Sequence, residues 1–286
     1  MAMQLCVLGS GSGGNCSLLT LRGSNGDPDA HRHILIDAGL SPRQTRRRLN
    51  GTGVSLDDIS DLFITHFDTD HFHAGWTRVV QRNDLRVHTH LRQRSDALKA
   101  GLTGRDLCLT QSGLELDNGA TVETVLLAHD DVGTVGYVIE HCGTRLGFAT
   151  DLGRVPSVLL DRFAGLHGLA IESNYDRSMQ VASSRPAFLK RRIMGGMGHL
   201  SNEQSFKAVQ HIADQSDLEH LVLLHLSRQC NDPSVIKQLY HARAPHLLSA
   251  LTISNQFAPT PMLKIAPPAP KQAVIETLAG EQSLLF

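Results

Sequence analysis

The chain has 286 residues, 41% of them apolar, which is enough to bury a substantial core as one large domain or two small ones. Its 28 acidic residues nearly balance its 27 basic ones, so the overall charge indicates neither a nucleic acid nor a membrane as partner, and no segment has the roughly 20 apolar residues of a membrane helix. The first residues carry no charged leader segment and the five cysteines are never spaced as CxxC, which predicts a cytoplasmic protein with reduced thiols, without a disulfide framework or a zinc ribbon.

The first apolar strand, 5–8, leads into a glycine-rich segment, 9–15, whose spacing fits the GxGxxG pattern of dinucleotide-binding sites. That pattern requires a helix to begin at the glycines, because the helix N-terminus binds the pyrophosphate. The residues that follow, 16–21, favour a second strand instead. We therefore predict a glycine-rich turn between two antiparallel strands.

Strand and helix patterns alternate along the rest of the chain, and Ser41-Pro42 has the residues of a helix N-cap and first turn. Strands are predicted at 33–36, 61–65, 85–88, 121–127, 134–140, 146–149, 168–172 and 220–224, and helices near 91–100, 154–163, 186–194, 202–215 and 233–241. This alternation predicts layered α/β packing. The prolines after residue 255 predict a main domain, 1–255, and an extended C-terminal segment, 256–286, that ends in a short helical tail.

The 16 histidines include a cluster that follows the predicted strand 61–65 directly: His66, Asp68, Asp70 and His71. Alternation beyond a strand places residues 66, 68 and 70 on about the same side, and residue 71 turns the corner. Imidazole and carboxylate groups together are typical ligands of divalent metal ions. His and Asp are also ordinary loop residues, so this cluster by itself leaves a purely structural role open.

Three further predicted strands each end just before one candidate ligand. His129 follows the strand 121–127, Asp151 follows 146–149, and His225 follows 220–224. Each residue alone is more typical of a loop or a cap. Together with the first cluster they supply enough ligands for two metal ions at one edge of the fold.

In order along the chain, a set of motifs resembles the metallo-β-lactamase superfamily, and specifically its bacterial YycJ/WalJ-like hydrolases. The motifs are LGSGSGGN at 8–15, LIDAG at 35–39, THxxxDH at 65–71, ESN at 172–174, KRRI at 190–193, GHLSNE at 198–203 and HLS at 225–227. They span about residues 4–230. The resemblance implies an α+β fold, a four-layer αββα sandwich of two mixed β-sheets flanked by helices, with a two-metal site at one edge.

The resemblance also implies a division of the ligands. His66, Asp68 and His129 would hold one metal ion, Asp70, His71 and His225 would hold the second, and Asp151 would bridge them. The family pattern HxHxDH has a histidine where this chain has Asp68. A carboxylate is a harder donor and adds negative charge, which should favour Mn²⁺ or Fe²⁺ over Zn²⁺ and make a bridging water a weaker acid. The alternative is that His73 supplies the missing imidazole.

Glu172 and His199 form a second constellation, and their segments also resemble those of the tRNA-processing endonucleases of the superfamily. The resemblance implies that Glu172 orients His199 toward the scissile phosphate. A carboxylate bonded to one imidazole nitrogen raises the pKa of the ring, so His199 is a candidate phosphate binder and proton donor. The alternative is that Glu172 is an ordinary acid at a strand end and His199 a structural loop histidine.

A basic run lies just upstream of His199. Lys190, Arg191 and Arg192, with Arg185 nearby, are predicted to bind nucleic-acid phosphates, and Ser227 is predicted to join them. A basic run is usually only a solvated helix face. Its position next to His199 in the sequence favours phosphate contact here, and a second basic run, 46–48, is a weaker candidate.

These patterns predict a metal-dependent hydrolase with Asp70, Glu172 and His199 as catalytic residues and two divalent ions, Zn, Mn or Fe. The first hypothesis is a phosphodiesterase or nuclease that degrades DNA from the 5′ end, in which a hydroxide bridging the metals attacks phosphorus in line. One alternative is a hydrolase of a small ester, lactone, thioester or cyclic phosphodiester, which would have a narrow pocket with no row of basic residues leading to it. The other is a non-catalytic regulatory protein in which Asp68 marks a decayed site. The oligomeric state stays open.

Overall fold

A computed structural model describes residues 2–24 and 27–267, and within these ranges the chain forms two seven-stranded β-sheets. The first sheet contains, in spatial order, β14 (Leu263–Ile265), β1 (Met3–Gly9), β2 (Cys16–Ser24), β3 (Asp27–Ile36), β4 (Ile59–Phe63), β5 (Arg86–His90) and β6 (Leu107–Thr110). The second contains β13 (Leu251–Ile253), β12 (His220–Leu224), β11 (Gly168–Glu172), β10 (Thr144–Ala149), β9 (Thr134–His141), β8 (Thr121–Leu127) and β7 (Gly113–Glu115).

Eight α-helices connect these strands in the described part of the chain. They are α1 (Pro42–Leu49), α2 (Trp76–Asn83), α3 (Arg94–Lys99), α4 (Ser157–Arg162), α5 (Arg177–Ala182), α6 (Ala187–Met194), α7 (Asn202–Ala213) and α8 (Pro233–Arg243). Helix α1 begins as predicted, because the Ser41 side chain caps it in a reciprocal capping box with Gln44.

The apolar side chains form one core between the sheets and two more beneath the helices. In β1, Met3 and Leu5 belong to the core between the sheets, whereas Cys6 and Leu8 belong to the core beneath α1, α2 and α3. Both faces of the strand are therefore covered, as its unbroken apolar sequence requires. The third core joins the second sheet to α4, α7 and α8. The result is the four-layer αββα sandwich that the sequence predicts.

Most of the strands that lead to the site run in one direction within their sheet. Strands β3, β4, β5 and β6 are mutually parallel, as are β10, β11, β12 and β13. Strand β8 shares the direction of β10, because each is antiparallel to β9. The carboxyl ends of parallel strands meet at one edge of a sheet, which is where ligands bind in open α/β sheets.

Every strand and helix predicted before residue 256 has a counterpart in the structure, and the predicted helical tail lies outside the described residues. The glycine-rich turn is confirmed, because β1 and β2 pair antiparallel on either side of it. Strands β6, β7, β13 and β14 and helices α2 and α5 escaped prediction, since they are short and have weak periodicity. All five cysteines are free thiols. No helix among the described residues is long and apolar enough to cross a membrane.

The chain continues to contribute to the fold beyond the predicted domain end at residue 255. Leu263 pairs with Leu5 and Ile265 with Met3, and the Thr260 amide donates to the Val7 carbonyl oxygen at 3.0 Å. Prolines are tolerated beside an edge strand, where one side of the ladder needs no donor, so a proline-rich segment can still contain a short strand. Residues 268–286 of the predicted extension lie outside the described residues.

Candidate metal centre

The seven predicted metal ligands converge at the carboxyl ends of the strands. They form two sets of three, each with ligand atoms within 4.8 Å of one another: His66, Asp68 and His129 in one set, Asp70, His71 and His225 in the other. These sets coincide with the division that the family resemblance implies. The structure therefore brings together side chains from four separate loops, after β4, β8, β10 and β12.

Asp151 lies between the two sets. Its Oδ2 is 3.5 Å from His66 Nε2 and also contacts His71 Nε2, while its Oδ1 is 2.5 Å from His225 Nδ1. The side chain is 2% exposed. One buried carboxylate thus faces imidazoles of both sets, which is the position a bridging ligand requires.

Three strand ends turn sharply to present these groups. Asp37 after β3, Asp151 after β10 and His225 after β12 all have positive φ angles, of 61°, 54° and 56°. A non-glycine residue in this left-handed region costs on the order of 1 kcal/mol. The surrounding packing holds all three in this conformation at the site, where backbone strain commonly concentrates.

Hydrogen bonds fix the orientation of the candidate imidazoles. His71 Nδ1 lies 2.7 Å from Asp37 Oδ2, and His129 Nδ1 donates to the Gly198 carbonyl oxygen at 3.0 Å. The Thr65 amide and hydroxyl both donate to Asp37 Oδ1 at 2.9 Å. Such outer partners commit one ring nitrogen and leave the other, Nε2, to face the centre.

The glycine-rich turn joins the two loops that carry the second set, Asp70 and His71 on one loop and His225 on the other. The Asn15 amide donates to the Asp70 carbonyl oxygen at 2.7 Å, and Asn15 Nδ2 lies 2.9 Å from His71 Nε2. The Ser10 hydroxyl donates to Asn15 Oδ1 at 3.0 Å and accepts from the His225 amide at 2.8 Å. The turn therefore positions the loops that carry the candidate ligands of this set.

The buried His225 Nε2 atom of the cluster has no hydrogen-bond partner among the described residues. An unsatisfied buried polar atom costs about 1–3 kcal/mol, and a bound cation would satisfy this nitrogen. Burial raises the pKa of Asp151, but the neighbouring His225 and His71 outweigh it and hold that pKa well below its usual range. The donor set, imidazole and ionised carboxylate, therefore fits divalent metal ions.

Asp68, and not His73, belongs to the candidate ligand sets. The Asp68 carboxylate is 58% exposed, with Oδ2 3.9 Å from His66 Nε2. His73 is exposed, and its Nδ1 accepts a hydrogen bond from the Gly75 amide at 2.9 Å. No group of possible metal ligands among the described residues includes His73. The turn that presents His71 directs the next imidazole away from the centre.

Glu172 and His199 meet beside the cluster. Their atoms Oε1 and Nδ1 lie 2.7 Å apart, and Glu172 Oε2 accepts from the amides of Leu152 at 2.7 Å and Leu200 at 3.2 Å. Burial lowers the pKa of His199, but Glu172 and then Asp151 outweigh it and raise that pKa to about 9. These two residues also form a further possible ligand group with Asp151 and His225.

The centre opens into a cleft of about 410 Å³. Arg185, Arg192 and Ser227 line it, whereas Lys190 and Arg191 do not. Lys190 Nζ donates to the Val181 carbonyl oxygen at 2.6 Å, outside the cleft. The predicted basic run is therefore divided, because a helix points successive side chains in different directions.

Arg192 and the second basic run make local contacts. Arg192 Nη2 lies 2.6 Å from Asp130 Oδ2 at the cleft wall. In the run 46–48, Arg48 Nη1 donates to the Leu8 carbonyl oxygen at 2.8 Å, and none of these arginines lines the cleft. Arg48 therefore serves to anchor α1 on β1.

Several residues of the site escaped the sequence-based prediction. Asp37 had a detectable signal, since it follows a buried strand just as Asp151 does. Asn15 and Ser10 had none, because their partners lie far along the chain. Asn174, whose Nδ2 donates to the His225 carbonyl oxygen at 2.8 Å, stands in a recognised motif but had no assigned role.

Comparison with known proteins agrees with the family that the sequence motifs resemble. A family model described as the beta-lactamase superfamily domain matches residues 32–226, a range that contains all seven candidate ligands. Exodeoxyribonuclease YycJ of Bacillus anthracis is 26% identical over 234 residues, 81% of this chain and 85% of that protein. Exodeoxyribonuclease WalJ of Streptococcus pneumoniae is 26% identical over 268 residues, 90% of this chain and 89% of that protein. The crystal structure of Zn²⁺-bound PqqB from Methylobacterium extorquens has a TM-score of 0.61 at 18% identity, over 90% of this chain and 99% of that chain.

Proposed function

The chain belongs to the beta-lactamase superfamily, and from this premise we propose that it is a metal-dependent phosphodiesterase that degrades DNA as an exonuclease. The observation that carries the proposal is the Glu172–His199 pair, which lies against the candidate metal ligands and presents His199 to the open cleft. The names of YycJ and WalJ, relatives that each match over four fifths of this chain or more, support DNA as the polymer.

The proposal assigns the candidate ligands to two divalent ions. His66, Asp68 and His129 would hold one ion, Asp70, His71 and His225 the other, and Asp151 would contact both. When bound, such ions neutralise phosphate oxygens and make a water molecule a strong nucleophile at neutral pH. In this proposal, Asp70 contributes to catalysis as a ligand of the second metal ion.

His199 has the geometry of a proton donor to a phosphate ester. Glu172 Oε1 accepts from Nδ1, so Nε2 is the nitrogen that can meet a substrate oxygen. The backbone amides of Leu152 and Leu200 fix the other Glu172 oxygen, so the carboxylate cannot swing away. A positioned imidazolium can hold a non-bridging oxygen or protonate the leaving oxygen, which contributes on the order of 10²–10⁴ to a rate.

The walls of the cleft favour a phosphate-containing substrate over a small neutral ester. A site for a small ester, lactone or thioester would be narrow, with no row of basic residues leading to it. This cleft of about 410 Å³ has Arg185 and Arg192 in its wall beside the carboxylates of the centre. Guanidinium groups bind phosphate through charge and paired hydrogen bonds.

The test uses protein stripped of metal and then supplied with Mn²⁺, Zn²⁺ or Fe²⁺. We expect it to shorten 5′-phosphorylated, end-labelled duplex DNA progressively from the 5′ end, a direction that rests on the family resemblance. Asp151→Ala should abolish the reaction, whereas Asp161→Ala, an exposed aspartate of α4, should not change it. Metal-loaded wild-type protein that leaves DNA and RNA of every end structure intact would overturn the proposal.

A further inference from the structure

The Arg185 side chain lies in the cleft wall, where three neutral side chains accept its hydrogen bonds. Its Nη1 donates to Gln180 Oε1 at 3.2 Å, its Nε to Gln229 Oε1 at 3.1 Å, and its Nη2 to Ser227 Oγ at 3.3 Å. Gln180 is fully buried. Three acceptors without charge therefore hold the guanidinium in place and leave its positive charge intact.

No carboxylate pairs with Arg185 among the residues that the structure describes, and this distinguishes it from the other arginine of the cleft. Arg192 lies 2.6 Å from Asp130, which neutralises it, and its side chain is 64% exposed. A guanidinium without a counter-charge beside an open cleft is an anion-binding group, because its charge is available to a ligand.

The hydroxyl of Ser227 lies next to this guanidinium. Ser227 Oγ accepts from Arg185 Nη2 and from the Cys230 amide, at 3.3 and 3.2 Å. It donates to none of the residues at 2–24 and 27–267, although the side chain is buried and lines the cleft. Both its lone pairs are thus engaged, and its proton is free to meet an acceptor that enters the cleft.

The Arg185–Ser227 pair lies at one end of the centre. Ser227 follows the candidate ligand His225 by two residues, whereas Asp130, the partner of Arg192, lies next to the candidate ligand His129. The His199 ring is close to both of these histidines, with its centroid 5.1 Å from that of His225 and 5.4 Å from that of His129. A phosphate held at His199 would therefore have Arg185 to one side of it.

We propose that Arg185 and Ser227 form a subsite for a second phosphate of the substrate, next to the phosphate that is cleaved. This inference rests on the proposed phosphodiesterase function and narrows its substrate class. The preferred substrate carries at least two successive phosphates, as a polynucleotide does, and a lone phosphodiester fills only the metal side of the cleft.

The test compares two substrates in wild-type protein and in variants. Bis(p-nitrophenyl) phosphate has one phosphate, and a 5′-phosphorylated DNA trinucleotide has three. We expect Arg185→Gln to lower the ratio of kcat/KM for the trinucleotide to that for the single diester by roughly tenfold or more, mainly through KM, because it removes a charge-assisted contact. In a plot of log KM for the trinucleotide against log salt concentration, the slope should decrease by about one in Arg185→Gln, because one phosphate contact is lost.

Two further variants make the result specific. Arg185→Lys keeps the charge without the paired donors and should recover part of the ratio. Arg177→Gln removes an exposed arginine of α5 that does not line the cleft, and should leave the ratio as in the wild type. Hydrolysis of the single diester by each variant also reports that the protein is folded.

The outcomes separate this inference from the proposed function. Suppose that wild-type protein cleaves both substrates, and that Arg185→Gln either leaves the ratio of the two kcat/KM values unchanged or loses both activities equally. The proposed second-phosphate subsite is then wrong, and the phosphodiesterase proposal stands. If metal-loaded wild-type protein cleaves neither substrate, the proposed function fails and the subsite fails with it.

Discussion

At the scale of single residues, Asp68 differs from the other candidate ligands of its set in its exposure to solvent. His66 and His129, the other members of its set, are buried, whereas more than half of the Asp68 carboxylate is exposed. Burial nevertheless raises the pKa of Asp68. A carboxylate ligand at the solvent edge of a site suits harder, more readily exchanging ions. The choice of metal in this set should therefore depend on residue 68.

Replacement of Asp68 by histidine should shift the metal preference toward Zn²⁺, because an imidazole is a softer donor than a carboxylate. The measurement is elemental analysis after equilibration of metal-free protein with equal Mn²⁺ and Zn²⁺. We expect a higher Zn-to-Mn ratio in Asp68→His than in wild type. Asp161→His, on the outside of α4, should leave the ratio unchanged, and an equal ratio in all three proteins would exclude Asp68 as a ligand.

His199 should matter for turnover more than for metal content. Its alanine variant removes the proposed proton donor, and we expect kcat on DNA to fall by a factor on the order of 10²–10⁴. The metal bound per chain, measured in the same preparation, should stay near the wild-type value. Loss of metal in parallel with activity would instead make His199 a ligand or a structural residue. His246→Ala, at an exposed histidine, is the control.

At the scale of elements, the site depends on how closely separate loops approach. The loop after β4 is held against the loop after β3, since the Ala38 amide donates to the His71 carbonyl oxygen at 2.8 Å and the His73 amide donates to the Ala38 carbonyl oxygen at 2.9 Å. A β-carbon on Gly39 would overlap the Asp70 carbonyl oxygen. Only glycine permits this contact, which sets the position of Asp70 and His71.

Gly39→Ala should therefore weaken metal binding while the core of the protein stays intact. The alanine would displace the Asp70 loop, and we expect the affinity for the second ion to fall roughly tenfold to a hundredfold, as for lost supporting contacts at metal sites. Calorimetric metal titration and the Tm of the metal-free protein measure the two effects. Gly104→Ala, where a β-carbon meets nothing within 4 Å, is the matched control. Unchanged affinity in Gly39→Ala would show that the loop is not held in this way.

The arrangement of strands and loops explains which residues of the site can be predicted from the sequence. His129, Asp151 and His225 are predictable, because each follows a strand whose direction is evident from its neighbours. Asn15 and Ser10 are not, since their roles come from contacts between loops that are distant in the chain. The run 190–192 misleads in part, because only the helix geometry shows which of its side chains reaches the cleft.

At the scale of the whole molecule, the sandwich is predictable from motif order and strand patterning, while its edges are not. Strands β6, β7, β13 and β14 have three or four residues each, too few to establish a period. Strand β14 closes the first sheet against β1, with the proline-rich segment beside it. Short edge strands take their conformation from the sheet that they join rather than from their own residues.

A buried ion pair in the first sheet makes the stability of the whole fold depend on pH. Asp61 of β4 contacts Arg32 of β3 at 2.8 Å and His88 of β5 at 2.7 Å. Burial raises the pKa of Asp61, but hydrogen bonds from His88 and Arg32 outweigh it and lower that pKa from 3.8 to about 2. A depressed carboxyl pKa stabilises the fold above pH 4, and this contribution is lost as the pH falls toward 2.

Asp61→Asn should therefore be less stable than wild type by about 2 kcal/mol at pH 7, and the difference should shrink as the pH falls from 4 toward 2. Denaturant unfolding of both proteins across this range is the measurement. Asp57→Asn, at an exposed aspartate, should show little difference from wild type at any pH. A difference for Asp61→Asn that does not change with pH would assign the effect to packing rather than to charge.

The central claim, a two-metal phosphodiesterase centre, is tested most directly by a Mn²⁺ titration of the metal-free protein during hydrolysis of end-labelled duplex DNA. A two-metal centre predicts that release of labelled nucleotide rises until about two equivalents of metal are bound per chain and then stays constant. A plateau at one equivalent, or no release at saturating metal, would contradict it.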